Sequence, residues 1–382
     1  MSFRGVGFAV AASLVGHAAM LAQPSNGGGR AQKALRQRAA NFESMAQPPV
    51  PNDPLELVSG DAQPVQDAEQ RAAAVHLLTN AEALSNVRGH PYDLKTAFVS
   101  YGASEGTWNL EDTSPAHEVY RWTAQGPSYS AINLRSNQLV YTNQPSGAIP
   151  LRLVQARTAI FFMYPPAGPR ASLGTAAATL NGAPVTCVLV KNMAQAKPAA
   201  GGRRWDEAEY CVDPKSGLLM IYSPVPGMYV AYDYTNAFHF RDKVIPGKFT
   251  VTQAGQTVIE ASTQSVLDPA KLDPALFQPA GLEKIGAGPL MTPPWRVLTT
   301  SAATGVNLNG TRHMVVLDGL LTPDGQLTGL QVVASSNAGL NQAALDEAAK
   351  FKNWESQDDL QPGAAPQSHE VFFTVEFGGT GQ

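Results

Sequence analysis

Three residues of the stretch FVSYGASEGTW, residues 98–108, have the spacing G-x-S-x-G that serine hydrolases use to present a nucleophile: Gly102, Ser104 and Gly106. That chemistry requires an apolar strand before the serine and a helix after it. Strand-like runs lie on both sides here, and no helical pattern follows the serine. The sequence therefore predicts a glycine-bearing hairpin turn, with a nucleophilic Ser104 as the minor alternative. We expect no enzymatic activity.

Other side chains with catalytic or metal-binding chemistry are scattered along the chain. The seven histidines form no H-x-x-H or H-E-x-x-H group, and the two cysteines form no C-x-x-C, so we expect neither a metal site nor a cofactor. Two acidic pairs, Glu111 with Asp112 and Asp358 with Asp359, have the chemistry of a general acid and base. Adjacent carboxylates in loops are commonly solvated, and we expect that role for both pairs.

The composition indicates a globular protein. The chain has 382 residues, of which 44% are hydrophobic and 15% charged, enough for a sizeable core and two domains. The formal net charge is -4, the sequence pI is about 6.0, and the lysines and arginines are not clustered. These values exclude the basic surface that nucleic acid requires, so we expect no nucleic-acid partner.

The N-terminus predicts export. Arg4 precedes an apolar run over residues 6–22 that has small residues near its end and a polar stretch after it. We assign residues 1–22 as a signal peptide and place the mature protein in the periplasm or cell envelope. An uncleaved membrane anchor is the alternative, but the run is short for a membrane span and contains Gly16 and His17.

Export gives the two cysteines a predicted role. Cys187 lies in PVTCVLVK and Cys211 in AEYCVDPKSG, both of which are strand-like. An oxidising compartment would let them form a disulfide, which we expect; two buried thiols are the alternative.

The middle of the chain, residues 67–282, predicts an antiparallel sheet with covering helices, preceded by a linker with at most a short helix over residues 23–66. A run from Asp67 has apolar residues at helical spacing, and residues 151–163 predict a second helix across the open face of the sheet. The other segments are short runs rich in Val, Tyr, Thr and Trp, separated by Gly, Asn, Asp and Pro. The predicted class is α+β.

Three features give this middle domain a resemblance to the LolA-like lipoprotein carriers: the aromatic stretch 205–223, the D-x-x-x-G turn at 213–217 and LDPALFQPAGL at 272–282. The resemblance implies a half-open β-barrel that shelters acyl chains, and a lipid is then the expected ligand. Core packing is the alternative role for the same inner side chains. The candidates for lining an apolar cavity are Trp122, Phe161, Phe162, Met163, Met220, Tyr222 and Tyr232.

A second unit is predicted over residues 305–382, after a Pro-rich connector at 283–304. Two apolar runs flank a turn at Asp324 and Gly325, a helix follows with Leu340, Ala344, Ala348 and Phe351 on one face, and the run HEVFFTVEF alternates. With LQVVASSN and LDEAAKFKNW, this order of strand, strand, helix and strand resembles the C-terminal domain of the TonB family.

The TonB resemblance implies docking by strand addition to an envelope or outer-membrane protein. The strand expected to dock is Val371, Phe372, Phe373, Thr374, Val375, Glu376 and Phe377. The leading prediction is therefore an exported interaction protein linked to transmembrane transport. A LolA-like carrier of a lipid or lipoprotein acyl chain is the alternative, and a small packing or dimerisation unit is the alternative role for the C-terminal residues.

Overall fold

The computed structural model describes residues 62–102, 104–116, 118–144, 149–161, 171–180, 183–191, 207–225, 227–253, 255–287, 295–299, 313–322, 324–350 and 369–377. The helices are α1 (Ala68–Ser85), α2 (Leu151–Phe161) and α3 (Asn341–Lys350). The strands before α2 are β1 (Gln63–Pro64), β2 (Tyr92–Ser100), β3 (Gly106–Ala116), β4 (Val119–Gln125), β5 (Ser130–Ser136) and β6 (Leu139–Thr142). Those after α2 are β7 (Ser172–Leu180), β8 (Ala183–Lys191), β9 (Glu207–Val212), β10 (Leu219–Val225), β11 (Met228–Asp233), β12 (Phe238–Phe240), β13 (Lys243–Ile245), β14 (Lys248–Gln253), β15 (Gln256–Leu267), β16 (Glu283–Ala287), β17 (Trp295–Thr299), β18 (His313–Leu321), β19 (Leu327–Ser335) and β20 (His369–Phe377).

A large antiparallel sheet forms the main domain. Its fourteen strands have the order β1-β7-β8-β9-β10-β11-β14-β15-β2-β3-β4-β5-β6-β16. The first and last strands, β1 and β16, do not pair with each other, so the sheet is not closed into a barrel. The predicted α+β class and antiparallel architecture are confirmed.

Helix α1 begins where the sequence predicts it. The Asp67 side chain accepts a hydrogen bond from the backbone N–H of Gln70 at 2.7 Å and so caps the helix. Ala74, Leu78 and Ala81 recur at helical spacing and are buried against the sheet. No helix within the described residues is long and apolar enough to cross a membrane; the predicted signal peptide lies outside them.

Helix α2 is enclosed by the sheet. Nine of its eleven residues are buried, including seven in succession, so the helix is covered on every side. The prediction of a helix here is confirmed over Leu151–Phe161, while Phe162 and Met163 lie outside the described residues. Charged residues within such a helix need partners inside the fold.

The G-x-S-x-G motif forms the turn between β2 and β3, as predicted. Gly102, Ser104 and Gly106 have φ values of 81°, 51° and 137°. The Ser104 carbonyl accepts a hydrogen bond from the indole N–H of Trp108 at 3.2 Å, so the motif anchors a buried aromatic side chain. β3 follows directly, and the helix that a nucleophile elbow needs is not there.

Cys187 and Cys211 form the predicted disulfide. They occupy directly paired positions on β8 and β9. With Glu209 they are also the only group of potential metal ligands in the described part of the chain, but both sulfurs are engaged in the disulfide.

The C-terminal unit has the predicted order of strand, strand, helix and strand, with β17 added. Its sheet has the order β17-β20-β18-β19, in which β17 and β20 are parallel. Residues Leu340, Ala344 and Ala348 are fully buried on one side of this sheet; Phe351 lies outside the described residues. The predicted connector 283–304 contains two strands: β16 completes the main sheet and β17 belongs to the C-terminal sheet.

The position of β20 corrects the expected docking edge. It pairs with β17 on one side and with β18 on the other, so its backbone is already paired on both sides. The strand at the far end of this sheet, within the described residues, is β19. Val371, Val375 and Phe377 are buried in the C-terminal core, and Thr374 is fully buried on the opposite face. The side chains of Phe372, Phe373 and Glu376 lie outside what the structure describes.

Candidate functional site

A buried ion pair joins α2 to the inner face of the main sheet. The Arg157 guanidinium contacts the carboxylate of Asp112 on β3, and the Tyr92 hydroxyl donates to the same carboxylate at 2.7 Å. Burial raises the pKa of Tyr92 well above its usual value, and the charge of Asp112 adds to this rise. Burial lowers the pKa of Arg157, and the charge of Asp112 opposes this lowering. All three groups lie inside the fold, so they form a fixed polar cluster.

This arrangement corrects the prediction that Glu111 and Asp112 are a solvated pair. Adjacent strand residues point to opposite faces. Glu111 therefore faces outward, where its carboxylate lies 3.1 Å from the ammonium of Lys95. Asp112 faces inward and is 1% exposed.

Arginine and aromatic side chains alternate beside this ion pair. The guanidinium of Arg157 lies 4.8 Å from the ring centre of Trp122 and 5.4 Å from that of Phe161. On the other side of Phe161, the guanidinium of Arg88 lies 4.7 Å from its ring centre and 5.9 Å from that of Tyr120. We call Trp122, Arg157, Phe161, Arg88 and Tyr120 the arginine–aromatic ladder. It runs from a fully buried indole to the half-buried Tyr120, so it connects the interior with the surface.

Two N–H donors of this ladder and two of the neighbouring strand β5 are buried and have no acceptor in the described part of the chain. They are Nε of Arg88, Nε1 of Trp122, Nδ2 of Asn133 and Nε of Arg135, and we call these residues the donor patch. Asn133 is paired with Trp122 across β4 and β5, and Arg135 is paired with Tyr120. Directly paired side chains share one face of an antiparallel sheet, so these groups lie on the same inner surface.

A second buried arginine lies one turn earlier on α2 and is held by neutral groups. Nη1 of Arg152 donates to the side-chain oxygens of Gln155 at 2.7 Å and Gln253 at 2.9 Å, and its Nε donates to the Tyr101 carbonyl at 3.3 Å. These bonds tie the start of α2 to the ends of β2 and β14. The ladder lies toward the other end of the helix.

The structure brings four of the predicted cavity residues to the face that bears the helices. Trp122 and Tyr222 belong to the main core, Tyr232 packs against it and donates its hydroxyl to a backbone carbonyl of α2 at 2.6 Å, and Phe161 lies on α2 itself. Met220 instead packs with the disulfide on the opposite face. The sequence places Met220 and Tyr222 on one face, but a register shift between β9 and β10 breaks the alternation at this point. Whether these residues contact a ligand stays a prediction.

The arginines and Asn133 were missed at the sequence level. Charged and amide side chains usually face solvent, so the sequence pattern gave these residues no inward role. The sequence does hold one signal for the inward position of two of them. Asn133 and Arg135 occupy alternate positions of the strand AINLRS, just as the inward residues Tyr120 and Trp122 alternate on the neighbouring strand.

No family model matches the chain, and no curated protein matches it. Solved structures give distant likenesses. A LolA-superfamily protein from Nitrosomonas europaea matches 54% of this chain and 97% of its own, with 12% identity and a TM-score of 0.37. A domain of an outer membrane lipoprotein-sorting protein from Vibrio parahaemolyticus matches 54% of this chain and 96% of its own, with 9% identity and a TM-score of 0.34. The MucA/MucB complex of Pseudomonas aeruginosa matches 56% of this chain and 64% of its own, with 13% identity and a TM-score of 0.27. Nothing about function follows from likenesses this distant, and none of them supports the TonB resemblance.

Proposed function

We propose that the protein is a non-enzymatic binding protein of the cell envelope that holds an apolar, lipid-class ligand against the inner face of its open sheet. The observation that carries this proposal is the arginine–aromatic ladder. Its flat rings begin in the core at Trp122 and reach the half-buried Tyr120, so an apolar chain has both a surface to contact and a route inward.

The ligand would lie beside α2. The sheet is open between β1 and β16, which leaves the inner face without the enclosure that a closed barrel gives. Helix α2 already occupies the interior, so a ligand that goes deeper than Phe161 has to shift the end of this helix. The carrier interpretation of the sequence is therefore the one that the geometry favours.

The disulfide supports an envelope location. A cross-strand disulfide is stable in oxidising compartments, in agreement with the export that the N-terminal segment predicts. Docking of an outer-membrane protein stays a prediction without a supporting contact, since the strand expected to dock is interior to its sheet.

The test uses a neutral probe, so that it reports apolar binding alone. We would measure the dissociation constant of a pyrene-labelled acylglycerol for the delipidated protein and record native mass spectra of protein purified from the envelope fraction. We expect saturable binding that Tyr120→Ala weakens by about fivefold, because an aromatic contact contributes roughly 1 kcal/mol.

Tyr141→Ala is the matched control. Tyr141 is half-buried like Tyr120 but pairs with Leu134 on the other face of the sheet, so its loss should leave probe binding unchanged. A protein that binds no acyl probe and carries no lipid-sized adduct would overturn the proposal.

A further inference from the structure

We propose that the donor patch binds the negatively charged head of an amphiphile, a phosphate or carboxylate group. This inference rests on the proposed function and names the chemistry of its ligand. The starting point is that all four unpartnered groups are donors: two guanidinium N–H groups, one indole N–H and one amide N–H. A molecule that satisfies them together must present several oxygen acceptors.

The local charge points to an anion. Arg88, Arg135 and Arg157 face the same region, and Asp112 is the carboxylate that pairs with one of them. The guanidinium groups of Arg88 and Arg135 have neither a hydrogen bond nor an ion pair within the described residues. Two positive charges on the half-buried inner face therefore lack a counter-charge, which a bound anion would supply.

The aromatic rings hold this site in place. Arg88 lies between the rings of Phe161 and Tyr120, and this stacking uses the flat face of the guanidinium. Its N–H groups lie in the guanidinium plane, so they remain available to a ligand. Arg135 is directly opposite Tyr120 on the neighbouring strand, so its side chain lies on the same face of the sheet as Tyr120.

The neutral donors place the head group at the inner end of the patch. Trp122 is fully buried and Asn133 is 5% exposed, and the two are paired across β4 and β5. Oxygens that reach these N–H groups would lie next to the ion pair of Arg157 and deeper than Phe161, which requires a shift of the end of α2. The apolar chain would then contact the rings of Phe161 and Tyr120. Arginine forks match the planar carboxylate and the oxygens of a phosphate, so either head group fits.

The test compares ligands that differ in head group. Calorimetric titration of the delipidated protein would use dodecyl phosphate, laurate, 1-monolauroylglycerol and inorganic phosphate. We expect dodecyl phosphate or laurate to bind at least tenfold more tightly than the neutral lipid. Arg88→Gln and Arg135→Gln should each remove most of that preference, and Arg135→Gln, which lies outside the ladder, should leave the affinity for 1-monolauroylglycerol within about twofold.

Arg121→Gln is the matched control. Arg121 lies on β4 between Tyr120 and Trp122, so its side chain points to the opposite face, and this variant should keep the full preference. Arg135→Lys keeps the positive charge but loses the paired N–H donors of the guanidinium, so we expect it to retain part of the preference for the anionic lipids. Far-ultraviolet circular dichroism verifies the fold of each variant. If a Gln variant does not fold, the comparison of Arg135→Lys with wild type tests the same inference.

Each alternative result has a distinct meaning. Equal affinities for the anionic and neutral lipids would overturn the head-group inference and leave the proposed function standing. Inorganic phosphate that binds as tightly as dodecyl phosphate would also overturn it, because the patch would then be a site for a small free anion. No binding of any lipid would overturn the proposed function itself.

Discussion

Asp112 is the residue that allows Arg157 to lie inside the sheet. Removal of one partner from a buried ion pair leaves the other charge uncompensated, which typically costs about 3 kcal/mol or more. We therefore expect Asp112→Asn to lower the free energy of unfolding by about 3 kcal/mol in urea titrations. The combined change Asp112→Leu and Arg157→Met should lose less than Asp112→Asn alone, because no buried charge remains.

Glu111→Gln is the control for this measurement. Its carboxylate pairs with Lys95 at the surface, and such pairs contribute roughly 0–1 kcal/mol. An equal loss from Glu111→Gln and Asp112→Asn would show that the buried location of the ion pair has no special effect.

Asp93 gives the main domain a pH dependence. Its side chain is 3% exposed and accepts a hydrogen bond from the Thr113 hydroxyl at 3.0 Å. Burial raises its pKa above the usual value, an effect that the hydrogen bond opposes and the charge of Glu111 adds to. The folded state therefore binds this proton more tightly than the unfolded state. This contribution to stability is present at low pH and is lost as the pH rises through the folded-state pKa.

We accordingly expect Asp93→Asn to raise the free energy of unfolding near pH 7, with no such gain near pH 3, where the carboxyl is protonated in both states. Urea titrations across this pH range would measure the difference between variant and wild type. A difference that does not change with pH would contradict the assignment. Asp273→Asn is the control, because that carboxylate is exposed and caps a short helical turn.

Among the elements, the pair β8 and β9 depends on its disulfide. Cys187 and Cys211 are 24 positions apart in sequence, and closing a loop of this size stabilises a fold by about 3 kcal/mol. We expect Cys187→Ala with Cys211→Ala to lower the free energy of unfolding by that order. Wild type unfolded in the presence of a reductant should show a similar loss, whereas the reductant should not affect the double variant.

Local patterns explain which elements the sequence predicts well. Asp67 caps α1 through its own side chain, and the glycines of the β2–β3 turn require positive φ, so both features are encoded within a few residues. The inward position of Asp112 also follows from strand alternation. Its burial does not, because it depends on Arg157, which lies 45 residues further along the chain.

At the scale of the molecule, the sequence does not predict the order of the strands in the sheet. β15 pairs with β2 and β16 with β6, so residues more than a hundred positions apart become neighbours. The donor patch depends on the same long-range assembly, since Arg88 comes from the segment before β2 and Phe161 from α2. The hydrophobic pattern located two inner aromatic residues of this site, but the arginines between them became recognisable only in the folded chain.

The C-terminal sheet and the main domain share one core. Val316 on β18 and Val333 on β19 are both 4% exposed and belong to the main hydrophobic core, while their neighbours Val315 and Val332 face α3. Gly227, at the β10–β11 turn, lies so close to this sheet that an added Cβ would come within 3.3 Å of the Val316 side chain. The C-terminal sheet therefore acts as a cover for the main domain, and we expect the wild type to unfold in one cooperative transition.

Disruption of this shared core should separate the two parts. We expect Val316→Asn with Val333→Asn to split the thermal unfolding of the full chain into two transitions and to increase the binding of a hydrophobic dye, because each buried amide without a partner costs about 2 kcal/mol. Ala349→Ser, on the exposed side of α3, is the control and should unfold like wild type. One unchanged transition in the double variant would contradict the covering role.

If the two transitions appear, acyl-probe binding by the same variant would show whether the C-terminal sheet also restricts access of a ligand to the inner face of the main sheet.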